Sequence, residues 1–583
     1  MVSFRRAMAI AWAAGAGVSL CLALLAGLGW TVRAVWAATR VITSAADGGP
    51  GTLRQALLDA GPGDTLTFDA GAFPPGAPAV IRPTSPLPAI TQDNLTIDAS
   101  NAGVILDGGL VPSGTVGLSL QADGVTVRGL TVRGFPSDGL VVGPGAAGNV
   151  IGGDRAVGAG PNGQGNRFSG NGGNGLMLRG AGTSGNLIRG NFIGVDATGM
   201  NPDPNTLSGL VIWQGASDNI VGGAAGARNV ISGNRQNGLY INGAGTDRNR
   251  LLGNFVGPNA TGFGVVGQLE NGVVINGGAS QTVVGDGTAA GRNVISGNAL
   301  VGVLIADPTT VSNTVQGNYH GANLNGTGAL PNGLHGVEIR NGAHHNLIGG
   351  NRLLGLGNLL SGNANHGLVV DYEAHHNQVL GNLIGPDASG SYSLGNQPFG
   401  GIDVAEGAQF NQIGGLGPGE GNLISGNGMD GIALYSNLVT PTADNQLLGN
   451  LIGLDLAGAA ALPNGGDGVF NVSGAARTLI LSNTVAYNAG AGVFISDCTG
   501  NTAAQNAIFA NGGPALRGSC LAAPQVTVVS TATLTGTAIA GARVHLYADD
   551  EDEAARYLGA VLADAAGAFT YTALKALREV EAA

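Results

Sequence analysis

Apolar residues alternate in short runs along most of this chain, and the runs return in phase. Counting from Gly175, Gly238, Gly336 and Gly401, positions one and three are apolar: Leu176 and Leu178, Leu239 and Ile241, Val337 and Ile339, Ile402 and Val404. Alternation over four residues predicts a strand with one buried face. A second short strand follows a polar turn, as at Asn186-Leu187-Ile188, and a third follows a Gly-Asn corner, as at Phe192-Ile193. Ser-Gly-Asn recurs at Asn171, Asn234, Asn298, Asn363 and Asn427, in steps of 63, 64, 65 and 64 residues, and the marker glycines divide each step in two. Repetition at this period indicates a solenoid whose units stack on their neighbours. No three-and-four apolar spacing runs through the repeats, so the pattern predicts an all-β chain. Three short strands per turn with Gly and Asn at the corners describe a coil of parallel β-helix. Both residues tolerate the positive φ that corners need, and asparagines at one phase can stack as a ladder.

The glycine, strand, N-x-I-x-G-N rhythm resembles the right-handed parallel β-helix repeat proteins of the pectin-lyase-like superfamily, over roughly residues 95–513. The repeats amount to about fourteen coils, and the resemblance implies that they are right-handed, as parallel crossovers usually are. It leaves function open, because that superfamily includes lyases, hydrolases, epimerases and adhesins.

The flanking segments read differently. Residues 1–38 carry Arg5-Arg6, an apolar run from Ala7 to Trp30 and a small-residue site at Val35-Trp36-Ala37, which predicts an export signal or a membrane anchor. Residues 39–109 hold a strand at Val41-Ile42-Thr43 and a short amphipathic helix from Gly51 to Ala60, suited to capping the open end of a solenoid. Leu53-Arg54-Gln55-Ala56 resembles the leader module preceding β-helices of bacterial surface proteins. The repeats proper are assigned to residues 110–522. Residues 523–583 alternate as antiparallel strands and resemble the immunoglobulin-like modules appended to surface β-helices, here truncated to about four strands, with Leu574–Ala583 reading as helical. Cys498 and Cys520, in an exported chain, suggest a disulfide closing the last coil.

Charge narrows the partners. The net charge is −12 with 11% charged residues, and no basic stripe exists to neutralise phosphates, which excludes nucleic acid. Glycine at 106 residues without a G-x-y period, with 44% hydrophobic residues, excludes collagen and argues against disorder.

Outward positions of the first strand carry the candidate chemistry. Arg179, Trp213, Tyr240 and Tyr435 suit a glycan, through arginine pairing and aromatic stacking. Glu338, Asp371 and Asp403, with Arg340, fall on successive coils at a spacing compatible with paired carboxylates or a metal. His335 and His366, His344 and His375, and His345 and His376 are each 31 residues apart, so each pair should stack; His344, His345, His375 and His376 could hold a transition metal such as zinc. A simple duplication of an Ala-His-His-Asn turn explains the same spacing. Loops at Asp196, Asn259 and Asp387 hint at calcium, but their spacing fits turn chemistry better.

Together these features favour an exported, monomeric, cofactor-free surface or secreted rod that binds glycan or protein partners without catalysis, touching membrane only through its N-terminal segment. The alternative is a polysaccharide lyase or glycoside hydrolase. Carboxylates with strongly shifted pKa values in a groove on the first-strand face would favour the enzyme; a shallow aromatic surface would favour the binder.

Overall fold

The computed structural model describes residues 37–583, except 224, 437–439, 473, 497–498, 519–524, 530–532, 549–555, 573–580 and 583. Three long parallel sheets of 16, 15 and 14 strands form the walls of a β-helix, and each coil contributes one strand to each wall. The register is in phase: Leu176, Leu210, Leu239 and Val273 are consecutive partners in the 14-stranded sheet. Apolar residues at positions one and three of these strands point inward and are fully buried in one continuous core, from Ile42 to Ile508.

The corners are held by asparagine. One ladder runs through Asn149, Asn186, Asn219 and Asn249. A second runs through Asn166, Asn191, Asn229, Asn254, Asn293, Asn318, Asn358 and Asn382. A third includes Asn298, Asn332, Asn363, Asn396 and Asn427. Past the first member of each run, the side-chain carbonyl accepts from the asparagine one coil before it, and amides also reach backbone carbonyls, as Asn229 Nδ2 does at Ile188 O, 2.9 Å. Most of these buried amides are thereby satisfied from coil to coil, Asn298 Oδ1 being left without a partner.

The ladder begins earlier than the assignment of coils to residues 110–522. Thr39–Ile42 pairs with Thr65–Phe68, which pairs with Thr96–Asp98 in the same 16-stranded sheet. Residues 39–109 are therefore built into the first coils. Helix Leu53–Asp59 is capped by the Thr52 hydroxyl, which accepts from Gln55 N, and it packs Leu53 and Leu57 on the core.

Loops of alternate coils lie along one side of the rod and hydrogen-bond to each other: Ala260 N donates to Gly199 O, Leu324 N to Gly262 O, Ala388 N to Gly326 O and Leu456 N to Gly390 O. Burial pushes the Asp196 carboxyl up, but the Asn201 amide on Oδ2, with Thr198 and the backbone of Met200 and Asn201 on Oδ1, holds its pKa below the usual carboxylate range. Turn bonding accounts for these loops.

At the C-terminal end, Gln525–Val529, Thr533–Thr537 and Ala568–Thr572 form one antiparallel sheet, and Arg543–Ala548, Arg556–Leu562 and Glu581–Ala582 a second. Leu534, Val544, Leu546, Ala563 and Phe569 make their shared core. Glu581–Ala582 is a strand rather than the expected helix end, because it finds an open edge at Leu546 and Tyr547. The export segment and both Cys498 and Cys520 lie outside the described residues. Among the described residues, no helix is long and apolar enough to cross a membrane.

Candidate functional site

The outer face of the 14-stranded sheet carries a cluster of acids. Alternation points Val337 and Ile339 into the core, so Glu338 and Arg340 face outward. Glu338, Val369 and Asp403 are successive partners in one column, placing the two carboxyls two coils apart, roughly 10 Å along the rod. Asp371 leaves the end of the intervening strand, its N–H bonded to Ile339 O.

Each acid has a distinct environment. Glu338 is 5% exposed and pairs with Arg340 Nη1 at 2.9 Å; burial pushes its pKa up, and the guanidinium opposes that. Asp403 is 6% exposed, and its Oδ2 accepts from the Tyr435 hydroxyl at 3.0 Å. Burial raises Asp403 to about 6, with Tyr435 opposing and Glu406 adding. Asp371 is half-buried and raised to about 7, by burial first and then by the charge of Glu338, which outweighs Arg340. Asp371 Oδ1 and Asp403 Oδ1 are both buried without a hydrogen-bond partner. Tyr435 is pushed up by burial and by the surrounding carboxylates. Arg340 also lies over the Tyr372 ring, 4.8 Å from its centre.

This arrangement brings Glu338, Arg340, Asp371, Asp403 and Tyr435 into one site. Arg179, Trp213 and Tyr240 form a separate patch. Arg179 and Trp213 are register partners, and Val211 on the Trp213 strand partners Tyr240. Four coils separate the Trp213 strand from the Glu338 strand. Tyr372 and Glu406 were missed as site residues. Both lie just past a strand at positive φ, 44° and 49°, where alternation no longer tells which way a side chain points.

The histidines stack as their spacing predicts: His335 on His366 at 5.5 Å, His344 on His375 at 4.6 Å and His345 on His376 at 5.2 Å. Burial holds His335 down to about 3 and His366 to about 4, so both are neutral. Among the described residues, no three His, Cys, Asp or Glu side chains converge on a single ion.

Residues 400–550 match a family model described as right handed beta helix region. The protein is a right-handed parallel β-helix, as its resemblance to the pectin-lyase-like superfamily implies. Solved structures of similar fold include the mannuronan C-5 epimerase AlgE6 A-module of Azotobacter vinelandii, 18% identical, covering 69% of this chain and 95% of that one, TM-score 0.41. The periplasmic alginate epimerase AlgG is 11% identical over 79% of this chain and 84% of that one, TM-score 0.34. A tailspike protein of E. coli bacteriophage HK620, solved with a pentasaccharide, is 10% identical over 89% of this chain and 86% of that one, TM-score 0.30. At these identities the likeness is one of fold. No curated protein matches the sequence.

Proposed function

We propose that the protein is a polysaccharide-active enzyme of the glycoside hydrolase type, working outside the cytoplasm on the outer face of the 14-stranded sheet. The observation that carries this reading is the clustering of Glu338, Asp371 and Asp403 from three consecutive coils, with a bare carboxyl oxygen on each of the two aspartates. A merely solvated sheet face has no cause to bury like charges together, and sites of paired, shifted carboxyls are where acid–base chemistry is done. The sequence alone favours a non-catalytic rod; the raised acids of this cluster support the enzyme instead.

Asp371, half-buried and raised to about 7, donates its proton to the departing glycosidic oxygen. Asp403, raised only to about 6, is the ionised partner that takes a proton from the attacking water. Arg340 and Tyr435 hold the flanking carboxyls in place. The surplus of acids over Arg340 favours a neutral glycan over an acidic one. The Arg179–Trp213 patch, with Trp213 38% exposed, offers a second platform for the same chain along the rod. The export pattern of residues 1–38 supports the location. The reaction as written takes no cofactor.

The test is release of reducing ends or unsaturated products from a panel of neutral and acidic polysaccharides, with and without calcium or zinc. Hydrolysis should follow a bell-shaped pH profile. Activity falls below about 6 as Asp403 protonates, and above about 7 as Asp371 ionises. Asp371→Asn should lower the rate on the order of 100-fold. The same change should stabilise the fold by ~1–2 kcal/mol at pH 7 but not at pH 4, because ionising the buried acid costs stability as pH rises from the unfolded value toward about 7. No product from any glycan would overturn the reading; unsaturated ends would replace hydrolysis by elimination.

A further inference from the structure

The corner between the 14-stranded and 16-stranded sheets holds two histidine pairs that the acid site does not use. His344 and His345 end one coil's turn, and His375 and His376 repeat them on the next. Within each pair the two Nδ1 atoms face each other, at 2.6 Å in the first and 2.8 Å in the second. Along the rod the rings stack nearly parallel, at interplanar angles of 9° and 6°. His345 and His376 are exposed, His344 and His375 half-buried.

The turn itself does not ask for histidine. Its second position is left-handed in coil after coil, occupied by Asp218, Arg248, Gln281, Ser312, Phe410 and Asp444 at φ between 53° and 58°. Where charged residues fill neighbouring copies they pair as ion pairs, Arg248 with Asp218 and Arg477 with Asp444. Only at residues 344–345 and 375–376 do both turn positions present imidazole. The backbone there is fixed from both sides: His344 and His375 are bridge partners, and Asn346 and Asn377 follow them in the asparagine ladder. The array is thus positioned before any ligand arrives.

We propose that each pair is a bidentate site for a divalent first-row transition metal of square-planar preference, with copper(II) the tightest. Bonds of about 2.0–2.1 Å at right angles place two nitrogen donors about 2.9 Å apart, close to the separations here, and waters complete the coordination. In each pair one Nδ1 donates to the other; for an ion to take both Nδ1 atoms, the donor ring's hydrogen moves through solvent to its own Nε2, and both rings turn so that their lone pairs converge. A cleft of 330 Å³ lined by Glu373, His375, His376, Gln409, Phe410 and Thr440 gives solvent and an ion access to the second pair. The two ions stand one coil apart, so the first weakens the second by charge repulsion.

The experiment is titration of the untagged full-length chain, thiols alkylated, with copper(II), followed by calorimetry and electron paramagnetic resonance. Two ions per chain are expected, each with two nitrogen donors in the hyperfine pattern. His345→Asn, which keeps a residue tolerant of the left-handed turn, should reduce the count to one. His345→Asn with His376→Asn should abolish binding, while His335→Ala leaves it intact. An absence of copper binding by the wild-type chain, or a double variant that still takes two ions, would overturn the proposal. Polysaccharide cleavage is a separate readout and decides nothing here.

Discussion

His320 occupies a core column in which its partners one coil away are Ile295 and Leu360. It is completely buried, and both ring nitrogens lack a formed hydrogen bond. The Asn358 amide, the polar group bearing on the ring, has its hydrogens committed to Val315 O and Asn382 Oδ1. Burial holds the imidazole at about 3, so it is neutral in the fold. Replacing it with an apolar residue removes an unsatisfied polar group, and His320→Leu should stabilise the protein by ~1–3 kcal/mol in urea denaturation at pH 7. The pH dependence fixes the sign independently. Below about 6.5 the unfolded imidazole takes a proton that the folded one refuses, so stability drains as pH falls toward about 3. That part of the acid sensitivity should vanish in His320→Leu; an unchanged slope would mean His320 does not stay neutral in the fold.

At the scale of the element, the coil depends on its corners. Asn358 accepts from Asn318 N and Nδ2 and donates to Asn382 Oδ1 and Val315 O, all within 3.1 Å. Asn358→Ala orphans groups in the two neighbouring coils at once and should cost about 2–4 kcal/mol, from one to three buried hydrogen-bonding groups left bare. An exposed turn position such as Gln281→Ala, with no ladder to break, should stay within about 0.5 kcal/mol. Equal losses at the two sites, by chemical denaturation, would show that the ladder carries no special share. This ladder was legible in the sequence, since the asparagines return at the phase of the glycines. Gln268 was not: it stands in for asparagine, its Oε1 accepting from Asn234 N and Nδ2.

Over the whole molecule, each coil is supported only by its neighbours, so the ends decide solubility. Helix Leu53–Asp59 and strand Thr39–Ile42 cover the first full coil. Deleting residues 37–63 would bare the edge of Thr65–Phe68 and the core at Leu66 and Ile97. The trimmed rod should associate edge to edge, seen by light scattering as a rise in mass relative to the full chain. A trimmed chain with no such rise would assign protection of that end to something other than the cap.

Period, sheet faces, the asparagine corners and the stacking of like histidines follow from the sequence by itself. In a solenoid of fixed pitch, residues about 30 apart become neighbours, so repetition is already a contact map. The strand alternation equally settles that Glu338 and Asp403 face outward. The tertiary structure alone decided three further things. It joined Tyr435 to Asp403 and separated both from Trp213 by counting coils along the rod. It added Tyr372 and Glu406 to the site of Glu338, Asp371 and Asp403, because both leave the strands at corners where side-chain direction depends on φ and not on alternation. And it buried the acids deeply enough to shift them, since burial on a sheet's outer face comes from side chains one and two coils away, which no local pattern encodes.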